Sequence, residues 1–170
     1  MDADPTQWKR LPGQGAYARA ERERRFLVAC APASTGQSRL IEDRYLDGMT
    51  LRLRRVTVGA EQVHKLTQKI RSGEGPAEVA LTNIYLSPQE YERLLVLPAA
   101  VLVKTRHLQP VGPVTFVVDE FHGHLEGLWL AEIEVADLQA PLTLPPWLGR
   151  EVTHVEAFSG GSLARNPPPA

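Results

Sequence analysis

Apolar and charged side chains alternate with a period of two in short runs through the middle of the chain. In LRLR at residues 51–54 the leucines share one side and the arginines the other, and AEIEV at residues 131–135 repeats this arrangement with glutamates. Successive side chains of a β-strand point to opposite faces, so each run predicts a strand with one apolar and one charged face. Turn residues between the runs, such as Asp47, Gly48 and Gly59, favour antiparallel hairpins.

The other predicted elements give an α+β class in which strands dominate. Further strands are predicted over residues 64–70, 78–84, 103–106 and 117–121. Ser87 begins a capping box with proline at the first helical position and Glu90 at the third, which predicts a helix that Pro98 ends. A second short helix is predicted after Pro146, ending near Gly149, and another near residues 156–163.

The segment over residues 20–28 fits two structures equally well. Glu21 and Arg25 stand four residues apart, the spacing of a favourable helical pair. The apolar residues Phe26, Leu27 and Val28 favour a strand. The pattern alone leaves the helix and the strand open.

The charge balance restricts the class of partner. The 170 residues include 19 Lys and Arg against 20 Asp and Glu, a formal net charge of −1, which argues against a nucleic-acid module that acts through a uniform positive field. Cys30 is the one cysteine, so no internal disulfide forms, and this suits a cytoplasmic location. No apolar run reaches the ~18–20 residues of a membrane span, and the first thirty residues are too charged for a signal peptide.

We expect one folded domain with two extensions. Residues 1–18, rich in proline and glycine, form an N-terminal arm that can dock through Trp8. Residues 19–164 form the domain, and residues 165–170 form a disordered proline-rich tail.

If the strands belong to one sheet, its charged face has two interpretations. It is either an ordinary solvated face or a binding site. Like charges at positions i and i+2 are neighbours on a strand, which costs stability unless a ligand of opposite sign lies between them. Carboxylates suit Mg²⁺ or Mn²⁺, and Arg and Lys suit phosphate oxygens. The residues on this face are Glu21, Glu23, Glu78, Asp119, Glu132 and Glu134, with Arg25, Arg52, Arg54, Lys65, Lys69, Lys104 and Arg106.

Several of these segments together resemble the CYTH family, the triphosphate tunnel metalloenzymes. The family's E-x-E-x-K strand has its counterpart at residues 21–25, where Arg25 replaces the lysine. The resemblance covers about residues 20–164 and favours a strand at residues 20–28. The further matching segments are residues 44–46, 51–54, 65–69, 103–106, 118–121, 130–134 and 145–153.

The resemblance implies an eight-stranded antiparallel β-barrel that encloses a charged tunnel, with a few flanking helices. In such enzymes carboxylates hold a divalent metal and basic residues hold a triphosphate. By position the metal ligands are Glu21, Glu23, Asp119, Glu132 and Glu134. By position the phosphate-binding residues are Arg25, Arg52, Arg54, Lys65, Lys69, Lys104 and Arg106. Glu78 is a further candidate for the tunnel wall.

The implied activity is hydrolysis of inorganic triphosphate or a related polyphosphate with Mg²⁺ or Mn²⁺. Glu23 or Glu134 would orient the attacking water, and Arg25 stands where the family has its lysine. The alternatives are a class IV-type adenylate cyclase and a non-catalytic module that binds polyphosphate or nucleotide. We expect a monomer or homodimer with no nucleic-acid or membrane partner. The stretch over residues 153–161 lacks the basic residues that many members have near the C-terminus.

Overall fold

The computed structural model of the chain describes residues 10–36, 38–72 and 75–167. The predicted docking of Trp8 and the last three residues of the predicted tail lie outside these ranges. Within them, no helix has the length and apolar character needed to cross a membrane. The strands are β1 Arg19–Val28, β2 Ser38–Leu46, β3 Leu51–Val58, β4 Glu61–Arg71, β5 Glu78–Leu86, β6 Ala99–Val111, β7 Val114–Phe121, β8 Trp129–Glu134 and β9 Leu148–Glu151. The α-helices are α1 Pro88–Leu94 and α2 Gly160–Arg165, and single 3-10 turns cover Gly123–Leu125 and Glu156–Phe158.

Eight antiparallel strands close into a barrel, as predicted. The sheet order is β5-β4-β3-β2-β6-β7-β8-β1-β9, and a further pairing between β1 and β5 joins the two ends. β9 is an extra strand beside β1. Closure leaves no free edge among the first eight strands, because each of them has a partner on both sides.

The ambiguous segment over residues 20–28 is a strand, and its pairing explains why. Its first half pairs with β5, where Arg22 lies opposite Glu78. Its second half pairs with β8, where Glu23 lies opposite Glu134. The segment does not form a helix because its backbone N–H and C=O groups form hydrogen bonds with two other strands.

Apolar residues on the outside of the barrel are covered by the connections. α1, with the predicted capping box at Ser87, buries Tyr91 against Leu46 and Leu53 of the neighbouring strands. On the other side Trp147 packs edge-on against Phe116, with ring centroids 5.6 Å apart. These two clusters bury the apolar side chains on the outside of the barrel. The charged side chains can therefore lie on the inner face.

One predicted helix is wrong. The residues after Pro146 form β9, because the backbone of Val152 donates to the Arg25 carbonyl at 2.8 Å and the Ala29 amide donates to the Trp147 carbonyl at 2.9 Å. Gly149 allows this approach, since a β-carbon there would lie 3.2 Å from the Leu27 carbonyl oxygen. The other predicted short helix, near residues 156–163, is confirmed by α2 and the 3-10 turn before it.

The C-terminal segment closes part of one end of the barrel. Phe158 and Leu163 pack on Leu102, Phe121 and Leu130, which lie on the same side of their strands as the inward-facing charges. The interior is therefore apolar at this end and charged farther in.

Candidate active site

A cavity of about 500 Å³ occupies the barrel interior, and charged side chains line most of it. Strand alternation explains its composition, because residues two apart on each strand point to the same side. On β1, Glu21, Glu23 and Arg25 point in, whereas Arg22 and Arg24 point out. The predicted site residues that the structure brings together around the cavity are Glu21, Glu23, Arg25, Arg52, Arg54, Lys65, Lys69, Lys104, Arg106 and Glu132.

Asp119 lies behind two of the cations and does not itself line the cavity. It is fully buried, accepts a hydrogen bond from the Lys104 Nζ at 2.6 Å, and accepts two from the Arg106 guanidinium at 2.7 Å each. Burial alone would raise the pKa of Asp119, but Arg106 and Lys104 hold it below the usual range. Both oxygens of this predicted metal ligand are thus engaged in fixing Lys104 and Arg106.

Asp43 has the same relation to Arg54 and Arg52. This fully buried carboxylate accepts two bonds from Arg54, at 2.6 and 2.7 Å, and the Arg52 Nε lies 3.5 Å from its Oδ1. Burial would raise the pKa of Asp43, but Arg54 and then Arg52 lower it strongly. Among the described residues the buried Arg52 Nε makes no hydrogen bond, so its contact with Asp43 is ionic.

Sequence reasoning missed Asp43, although a signal was present. Asp43 pairs across the sheet with Arg54, and Tyr45 pairs with Arg52. Asp43 and Tyr45 are therefore on the face that carries the arginines. The run Glu42-Asp43-Arg44 has charges on both faces, which hid this alternation.

The inward-facing glutamates differ in how well they are neutralised. Glu132 accepts a bond from the Arg25 Nε at 2.7 Å and from Arg106 at 3.0 Å. Glu21 accepts a bond from the Lys69 Nζ at 2.6 Å. Among the residues that the structure describes, Glu23 makes no side-chain hydrogen bond and has an ionic contact at 3.6 Å with the Arg25 guanidinium.

The electrostatics of Glu23 fit a cation at this place. Burial and the neighbouring carboxylates Glu132 and Glu21 raise the pKa of Glu23, although Lys69 and Arg25 oppose this shift. No three His, Cys, Asp or Glu side chains in the described ranges are arranged to hold a metal ion as they stand. The donor set of carboxylate oxygens nevertheless suits a hard divalent cation, which would relieve the repulsion at Glu23.

Two other predicted acidic residues lie away from the cavity lining. Glu134 is at the end of β8, half-exposed, and accepts a bond from Arg19 at 2.9 Å. The prediction that Glu78 faces the tunnel is wrong. Glu78 pairs with Arg22 on the outside, and β5 turns Val79 and Leu81 inward instead. The alternation of β5 therefore begins one residue later than the sequence suggested.

The lining also includes residues that sequence reasoning did not select. Thr67 donates to the Asn83 side-chain oxygen at 2.7 Å, and both lie on the cavity wall. Gly160 lies against Tyr45, since a β-carbon there would be 2.0 Å from the tyrosine hydroxyl. The charged residues Arg19, Arg71, Glu156 and Arg165 also line the cavity. Their contacts join segments far apart in the chain, which no local pattern reveals.

A closed antiparallel barrel with a charged interior defines the structural class of this protein. No family model matches the chain. An inorganic triphosphatase of Nitrosomonas europaea is 32% identical over 157 residues, covering 87% of this chain and 99% of that protein. The chain belongs to the inorganic triphosphatase family.

One further relative and two solved structures resemble the chain in sequence or in fold. An inorganic triphosphatase of Acetivibrio thermocellus is 42% identical over 67 residues, which are 39% of this chain and 43% of that protein. The crystal structure of the inorganic triphosphatase NE1496 superposes with a TM-score of 0.61 at 28% identity, covering 88% of this chain and 97% of that one. A protein of Pyrococcus horikoshii shares the fold, with a TM-score of 0.52 at 18% identity over 70% of this chain and 80% of that one.

Proposed function

We propose that this chain hydrolyses inorganic triphosphate inside the barrel with the help of a divalent cation, Mg²⁺ or Mn²⁺, and that it is an enzyme of the CYTH, or triphosphate tunnel, type. The composition of the cavity wall carries this proposal. Ten Lys and Arg residues line the cavity against four Glu residues. A compact polyanion is the ligand that balances this excess of positive charge. The family membership supports an inorganic triphosphate in particular.

The basic residues are held in place before a substrate arrives. Asp119 and Asp43 each fix a guanidinium, of Arg106 and Arg54, through two hydrogen bonds. Donors fixed in advance need little reorganisation as charge develops on the leaving phosphate, and one such donor is worth a factor of ~10²–10³ in rate. We assign Asp119 and Asp43 to positioning these cations. We assign phosphate binding to Arg25, Arg52, Arg54, Lys65, Lys69, Lys104 and Arg106.

The carboxylates of the cavity are assigned to the metal and the water. Glu21, Glu23 and Glu132 would hold the divalent cation, which when bound neutralises charge on the phosphoryl oxygens. Glu23 is the better placed of the two residues predicted to orient water, because Glu134 lies at the rim in a pair with Arg19. Arg25 contacts both Glu132 and Glu23, so it positions these carboxylates relative to each other.

The reaction consumes one water and cleaves one phosphoanhydride bond. Oxygen of the water attacks a terminal phosphorus, the bridging oxygen leaves with the electron pair, and the products are orthophosphate and pyrophosphate. A carboxylate accepts the proton of the water, and Arg and Lys stabilise the charge on the leaving group.

Phosphate release from a substrate panel tests the proposal. Purified protein is incubated with tripolyphosphate, pyrophosphate or ATP, with Mg²⁺, with Mn²⁺ or with a chelator. We expect orthophosphate from tripolyphosphate with a metal and none with the chelator. Binding without turnover under all conditions would identify a binding module instead, and cyclic AMP from ATP would identify a cyclase.

A further inference from the structure

The cavity has a rim at which an arginine is neutralised by a glutamate. Arg71 ends β4, and Glu156 begins the 3-10 turn before α2. The Arg71 guanidinium donates to one oxygen of Glu156, and both side chains line the cavity at half exposure. The other Glu156 oxygen accepts the hydroxyls of Ser159, at 2.9 Å, and Ser162, at 3.3 Å.

The inward-facing cations of β4 end at this rim. Lys65, Lys69 and Arg71 all point into the cavity, and side-chain exposure rises from 33% at Lys69 to 50% at Arg71. A phosphate chain that follows these cations outward would reach Arg71 last. There it meets a carboxylate as well as a guanidinium.

The second arginine at this rim is also engaged. Arg165 of α2 donates to the Gly161 carbonyl at 3.1 Å, to the Tyr45 carbonyl at 3.3 Å and to Asp47 at 3.4 Å. The rim is thus close to electrically balanced, whereas the wall farther in has an excess of cations.

Stability does not account for the pair of Arg71 and Glu156. An ion pair this exposed contributes only ~0–1 kcal/mol to folding. In the cavity, Glu156 pairs with the outermost cation of β4 and places a negative charge beside it.

We propose that Glu156 limits the length of the phosphate chain that the cavity accepts. Three phosphates are held by the interior cations, and a fourth would be repelled by Glu156 and would find Arg71 already paired. This inference rests on the proposed function, because it assumes that a triphosphate occupies the cavity.

Calorimetric titration with tripolyphosphate and linear tetrapolyphosphate tests this inference, both with Mg²⁺ and with a chelator. In Glu156→Gln we expect the ratio of Kd for tetrapolyphosphate to Kd for tripolyphosphate to fall about tenfold. The matched control is Glu151→Gln, which removes a carboxylate paired with Arg24 on the outside of the barrel and should leave the ratio unchanged.

A second variant separates charge from structure. Arg71→Gln leaves Glu156 unpaired at the rim, so the same ratio should rise. If the pair were only a structural link, both variants would change the ratio in the same direction or not at all, and the inference would be overturned.

Phosphate release by the same samples keeps the two proposals apart. Hydrolysis of tripolyphosphate with an unchanged ratio in Glu156→Gln would refute the length limit and leave the proposed function standing. Binding with the expected shift but without hydrolysis would support the length limit and refute the enzyme. Binding of neither polyphosphate would overturn both.

Discussion

The inner and outer faces of β1 carry the same residue types in different arrangements. On the outer face Arg22 and Arg24 each pair with one glutamate from another strand. On the inner face Arg25 contacts both Glu132 and Glu23. The arginines on the outside of the barrel form isolated ion pairs, whereas the arginine on the inside belongs to a network of several carboxylates.

The comparison shows what burial does to a network of charges. Pairs that solvent reaches, such as Arg22 with Glu78, are screened and contribute little, so they can be removed at small cost. Inside, Asp119 and Glu132 share Arg106, and the loss of one partner leaves a buried charge uncompensated. The inner charges therefore depend on one another, as expected of a site proposed to bind a polyanion, whereas each outer pair stands by itself.

The largest effect is expected on the free energy of unfolding, when variants of two adjacent residues on opposite faces of β2 are compared. Asp43→Asn leaves Arg54 and Arg52 without their buried carboxylate, so we expect a loss of ~3–5 kcal/mol in the free energy of unfolding at pH 7. Glu42→Gln removes the outer pair with Arg55 and should cost less than ~1 kcal/mol. Urea denaturation measures both, and equal losses would contradict the comparison.

The pH dependence of this effect follows from the lowered pKa of Asp43. A carboxyl whose pKa is lower in the folded than in the unfolded state stabilises the fold above its unfolded pKa, near ~4, and this contribution is lost as the pH falls through the folded pKa. The stability difference between the wild type and Asp43→Asn should therefore shrink below about pH 4. A difference that stays constant down to acid unfolding would contradict this origin.

The next effect concerns activity. Glu132→Gln removes a carboxylate that contacts Arg25 and Arg106 in the cavity, so we expect kcat for tripolyphosphate to fall by a factor of ~10²–10³. Glu151→Gln on the outer face should change kcat less than about twofold. Phosphate release at saturating metal measures both, and a similar kcat in the two variants would place the chemistry elsewhere.

A smaller effect is expected on affinity. Lys104→Met keeps the length of the side chain but removes its charge, while Asp119 remains bound to Arg106. A hydrogen bond to a charged group is worth ~1.5–3 kcal/mol, so Kd for tripolyphosphate should rise at least about tenfold. Calorimetry with Arg55→Met as the outer-face control checks this, and unchanged affinity in Lys104→Met would remove β6 from the binding site.

The architecture was largely predictable from the sequence, because alternation along a strand is a local property. The capping box at Ser87 was equally local, and α1 begins there. The secondary structure of residues 20–28 and of β9 could not be predicted from local pattern. Their strand pairing depends on backbone partners more than 50 residues away, such as Val79 for Glu21 and Glu151 for Phe26.

The site was predictable to the extent that alternation determines which residues share a face. Alternation does not distinguish residues that line a cavity from residues in the layer behind them, so the prediction grouped Asp119 with the cavity carboxylates. It also could not show that Glu134 lies at a rim, where the strand ends. Arg71 and Glu156 meet although 85 residues separate them, and only the closed barrel reveals this contact.

Phosphorus NMR of tripolyphosphate with the purified protein and Mg²⁺ or Mn²⁺ tests the central claim most directly. The proposed attack of water on a terminal phosphoryl group predicts equal initial amounts of orthophosphate and pyrophosphate, formed at similar rates by the wild type and Glu151→Gln and ~10²–10³ times more slowly by Glu132→Gln. A folded wild-type protein that leaves tripolyphosphate intact with both metals would contradict the account.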